Sequence, residues 1–63
     1  MWNTLKQVAE DRRLPVEEFI KFGIENKERY GIDFNKFGGT QEIPMVNTWH
    51  VDDLIYAFKQ KNK

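Results

Sequence analysis

Leu5, Val8 and Ala9 recur at i, i+3 and i+4, a spacing that predicts a short amphipathic helix over residues 4–12. Thr4 supplies its N-cap, and Gln7 three positions on completes a capping-box pattern. Trp2 stands just outside, placed to fold back over the apolar face. Arg12 and Arg13 fall in the last turn, where cations complement the helix dipole. Leu14-Pro15 then breaks the pattern, because proline disfavours α geometry in the residue before it and suits a first helical position. A second helix is expected from Pro15 or Val16, with Val16, Phe19, Ile20 and Ile24 as its buried stripe. Glu17, Glu18 and Lys21 face outward, Glu17 and Lys21 in the favourable i, i+4 order. Gly23 has two readings. It either caps the helix near residue 22, with an extra helical turn from Glu25 to Arg29, or packs inside a helix that reaches Tyr30 and is capped by Gly31. The first is preferred.

From Gly31 the period changes. Ile32, Phe34 and Lys36 alternate with Asp33, Asn35 and Phe37, an imperfect strand pattern, and Gly38-Gly39 is the strongest turn signal in the chain. Ile43 to Val46 make a short apolar run, which Pro44 demotes to an edge or irregular strand. Thr48 to Val51 read as a last extended segment. Asp52 and Asp53 open a third helix, with Leu54, Ile55, Phe58 and Val51 as its apolar face. Residues 58–63 are expected to fray. The order helix, helix, β-hairpin, helix describes an α+β fold in a single domain over residues 1–63, with no internal repeat.

Composition narrows the chemistry. The 63 residues include no cysteine and one histidine, His50, so disulfides, thiolate zinc sites and His-rich metal sites are not expected. Nine aromatics are the substitute for such staples, and dimerisation is the other route by which so small a core is completed. The chain starts at Met1 and passes directly into an amphipathic pattern, so a complete small product without a signal peptide is expected. No apolar run approaches a membrane span, and the cytoplasm is the default location. Formal charge is zero, but its distribution is uneven. Residues 32–53 carry Lys36 against Asp33, Glu42, Asp52 and Asp53, whereas residues 54–63 carry Lys59, Lys61 and Lys63 with no acid.

Catalytic groups are scarce. There is no phosphate-cradling glycine motif and no serine, and the hydroxyl nucleophiles reduce to Thr4, Thr40 and Thr48. His50 beside Asp52 and Asp53 invites an acid–base reading, but acids in a first helical turn explain the pair better. No catalytic residue and no cofactor is expected; the chain reads as a binding protein.

Thr4-Leu5-Lys6-Gln7-Val8-Ala9-Glu10 and Pro15-Val16-Glu17-Glu18-Phe19-Ile20 resemble the opening of the excisionase and MerR-like winged helix-turn-helix families. In those families an alanine, here Ala9, sits where two helices touch, and an apolar residue, here Ile20, follows in the second helix. Trp49 to Phe58 resembles their close, an aromatic strand residue leading into a helix with an acidic start. The resemblance covers most of the chain in outline, through short and mostly hydrophobic motifs. Two departures stand out: residues 23–50 form a longer intervening segment, and Glu17 and Glu18 replace the usual Ser, Arg, Thr or Lys. Glutamate accepts a hydrogen bond from cytosine N4 but repels flanking phosphates.

The resemblance implies a small sequence-specific protein binding double-stranded DNA, a transcriptional regulator or recombination directionality factor of phage or mobile-element type. The second helix would enter the major groove and the Gly38-Gly39 loop would act as a wing. Arg12, Arg13, Glu17 and Lys21 would then meet DNA, with Lys36 and Thr40 on the wing and Lys27 and Arg29 on the flanking backbone. The alternative expectation is a protein-interaction module, such as a phage protein docking on a host factor through the aromatic-rich stretch from Phe34 to Trp49. A homodimer whose shared surface completes the core is a third.

Overall fold

A computed structural model describes residues 1–34 and 43–61. The chain is α+β: β1 (Trp2–Thr4), α1 (Leu5–Asp11), α2 (Val16–Glu25), α3 (Lys27–Tyr30), β2 (Asp33–Phe34), β3 (Pro44–Asn47) and α4 (Thr48–Lys61). The strands form one antiparallel sheet in the order β1-β3-β2. The expected order of helices and hairpin arms is present, with an N-terminal strand added to it.

That strand takes up Trp2, which pairs opposite Asn47 in the sheet. It also makes β3 central and regular, against the edge or irregular strand expected from Pro44. Met45 lies opposite both Thr4 and Asp33, while Pro44 is the first strand residue and has only Phe34 beside it. A first position tolerates proline's missing N–H. The expected Gly38-Gly39 turn lies outside the described residues.

Thr4 caps α1 from an extended backbone, its Oγ1 accepting from the Gln7 N–H at 2.9 Å. The Gln7 amide donates forward to Asp11 at 3.1 Å, so only half of the capping box is made. Arg12 and Arg13 are not in the last helical turn, as expected, but just beyond it. Arg13 has φ 56° and the Leu14 N–H reaches back to Ala9 O at 2.8 Å, while the Arg13 N–H reaches Glu10 O at 3.2 Å. This is a Schellman closure with arginine in the left-handed position that glycine usually takes.

α2 begins at Val16, as expected, but does not end near residue 22. Gly23 is a buried packing glycine inside the helix, which stops only where the Asn26 side chain donates to Phe22 O at 2.9 Å. The extra turn, α3, then closes on Gly31 with φ 64°. Each of the two readings of Gly23 therefore holds in part.

α4 holds the largest correction. Thr48 to Val51 are helical, not extended, so Asp52 and Asp53 fall beyond the first turn. Its start is held from outside. The Thr48 N–H and Oγ1 donate to Met1 O at 2.8 and 3.0 Å, Asn3 Nδ2 donates to Thr48 Oγ1 at 3.0 Å, and Asn47 Oδ1 accepts from the Trp49 N–H at 3.2 Å. The expected fraying from residue 58 is also wrong: Phe58 is buried, and helix continues to Lys61.

The core gathers Leu5, Val8 and Ala9 of α1, Phe19 and Phe22 of α2, Ile32, Val46 of β3, and Leu54, Ile55 and Phe58 of α4. Phe58 meets Phe19 and Phe22 edge-on at 5.2 and 5.6 Å between ring centres. These contacts replace the missing staples. Among the described residues no helix is long and apolar enough to cross a membrane.

Candidate nucleic-acid interface

The turn between α1 and α2 displays the first pair of candidate residues. Leu14, packed against the core, anchors it, so Arg12 and Arg13 project from a short, backbone-bonded corner. Arg12 lies 3.7 Å from Asp52 of α4, with the two side chains 53% and 89% exposed. An ion pair so open to water contributes little and leaves both groups available to a partner.

Glu17 and Lys21 lie one turn apart on the exposed face of α2, as expected. Ile24, expected in the core, is 38% exposed, and with Ile20 it lines a shallow groove of about 370 Å³ flanked by Glu17, Lys21 and Glu25. The outer face of α2 thus carries Glu17, Glu18 and Glu25 against Lys21 alone. Glu25 is paired across to Lys61 at 3.9 Å, and Lys61 also stands 5.1 Å from the centre of the Phe22 ring.

Lys27 and Arg29 sit on α3, beyond the far end of α2 from Arg12 and Arg13. A ten-residue helix is about 15 Å long, so Arg12 and Arg13 lie beyond one end of α2 and Lys27 and Arg29 beyond the other, with Lys21 and three glutamates on the helix between them. Arg29 lies over the ring of its neighbour Tyr30 at 5.8 Å. Lys36 and Thr40 lie outside the described residues.

Three surfaces escaped the sequence reading. One is the Ile20–Ile24 groove, hidden by assigning both residues to the buried stripe. The second is the pairing of Trp49, already named in the aromatic-rich stretch, with Tyr56 on α4, 82% and 67% exposed; their seven-residue spacing was a legible signal only once both were known to be helical. The third is an open cleft of about 630 Å³ between α3 and α4, lined by Arg29, Tyr30, His50, Asp53, Tyr56 and Gln60 among others. His50 and Asp53 share that cleft, whereas Asp52 is turned toward Arg12. Among the described residues no group of three acidic or histidine side chains could hold a metal ion. Comparison with protein-family profiles, with curated proteins and with solved structures returns no match.

Proposed function

We propose that this chain is a small DNA-binding protein of winged helix-turn-helix type, acting on duplex DNA as a regulator or recombination directionality factor. One observation carries the reading. Two short helices meet at a tight, Schellman-closed corner, and an antiparallel strand pair flanks them. That is the layout in which a second helix enters a major groove and a hairpin lies beside it.

Charge determines how such binding would work. Arg12, Arg13, Lys21, Lys27, Arg29 and Lys36 are the available phosphate partners, and contacts of this kind position a protein without reading sequence. Glu17 would accept from cytosine N4, and Thr40 would join from the hairpin. Six cations limit the salt dependence to a slope of about −5 in log affinity against log salt. Fluorescence anisotropy with random and enriched duplexes at low salt tests this. Arg13→Ala and Lys21→Ala are expected to weaken binding and to flatten the slope by about 0.9 each, with helical circular dichroism unchanged. No binding at low salt would refute the reading.

A second reading rests on the Ile20–Ile24 groove. An apolar strip edged by glutamates, on the face a recognition helix would present, suits a protein partner better than phosphate. Ile24→Lys separates the two: it strengthens a DNA contact and abolishes a protein contact through this groove.

A further inference from the structure

α4 buries one side on the core, through Leu54, Ile55 and Phe58, and leaves the other bare. On the bare side Trp49 and Tyr56 are seven residues apart, so they lie within about 20° of one another around the helix and about 10 Å apart along it. Large aromatics in such a stripe are the usual anchors of an interface. Charge along the same stripe is divided. Asp52 and Asp53 precede Tyr56 and Lys59 follows it, whereas Lys61 turns away to Glu25 and the Phe22 ring. A helix with acids in one half and bases in the other is complementary to its own reversed copy.

We infer that α4 is a self-association surface, on which a second copy of this chain packs its own α4 antiparallel. With Tyr56 on the two-fold axis, Asp52 and Asp53 come beside Lys59 and Gln60 of the second copy, and the reverse contacts repeat by symmetry. Trp49 then covers the far end of the other helix. Parallel pairing would set Asp52 and Asp53 against their own copies, which like charge disfavours. The open cleft beside Asp53, Tyr56 and Gln60 leaves room for side chains from the second helix. Asp52 remains available, because its contact with Arg12 is long and exposed.

Sedimentation velocity across a wide concentration range tests the surface, with each variant's fold checked by circular dichroism. The intact chain is expected to pass from monomer to dimer. Tyr56→Glu, at an exposed position, raises the dissociation constant roughly tenfold or more. Lys59→Glu weakens the dimer, and adding Asp52→Lys to it restores most of the loss, because the swapped charges meet again. Orientation is read by oxidation, in a chain that holds no other cysteine. Tyr56→Cys cross-links at the axis. Trp49→Cys does not, since antiparallel pairing places the two positions about 21 Å apart, far beyond disulfide reach. A monomer at every concentration, a charge swap without recovery, or a Trp49→Cys cross-link overturns the inference. So does a different protein bound stoichiometrically on this face of a monomeric chain.

Discussion

Gly23 lies where α2 meets α1, and a Cβ built on it would stand 2.6 Å from Leu5 Cδ1. Leu5 is fully buried, so its methyl has little room to retreat. Alanine in place of glycine ordinarily stabilises a helix interior by about 1 kcal/mol, but overpacking here costs about 1–3 kcal/mol. Gly23→Ala is therefore expected to lower stability, with a melting temperature several degrees down. In a Leu5→Ala background the same substitution fills the vacated space and its sign reverses; thermal melts of the four variants check this. Glycine in a sequence marks either a left-handed cap or a close approach, and only φ tells them apart. Gly31 is the cap here, Gly23 the close approach, and among the described residues the other left-handed position went to Arg13. The candidate site was legible at Glu17 and Lys21, which are exposed as the period required. It was illegible at Ile24, where the stripe leaves the core before its period ends.

Among elements, α1 and the start of α2 were plain in the sequence, since caps, proline and apolar spacing are local signals. β1 and the central place of β3 were not. Trp2-Asn3-Thr4 has no strand pattern of its own and becomes one only by pairing with Met45 to Asn47, more than forty residues away. α4 was misplaced by competing local signals. Trp49-His50-Val51 favours strand, the two aspartates imitate a helix start, and the true cap lies at Asn47 and Thr48, supported by Met1 and Asn3. The consequence for the chain's end is testable. Phe58 joins α4 to both aromatic rings of α2, so Phe58→Ala is expected to cost about 3–5 kcal/mol. A domain of this size holds on the order of 3–9 kcal/mol in all. Near-ultraviolet circular dichroism should show a largely unfolded population on mild heating, whereas a frayed end would leave the melt unchanged.

At the scale of the whole molecule, a zero net charge meets an α+β fold for which we propose a helix-turn-helix role. The α+β class and the order of helices and hairpin arms follow from periodicity, which reports burial directly. Function does not follow so simply, because it depends on how cations distribute over a surface, and periodicity is silent about that. The proposed DNA contact runs over the α1–α2 corner, one face of α2, α3 and the hairpin, and the proposed self-association over the outer side of α4. The two are therefore separable in one experiment. Titrating a short duplex at low salt into isotopically labelled protein, with amide shifts followed by NMR, tests the DNA-binding account most directly. The account predicts shifts concentrated from Arg12 to Lys21 and around Lys36 to Thr40, with Lys27 and Arg29 following and Trp49 to Tyr56 unmoved. Amides that stay still at saturating duplex, or shifts confined to α4, would contradict it.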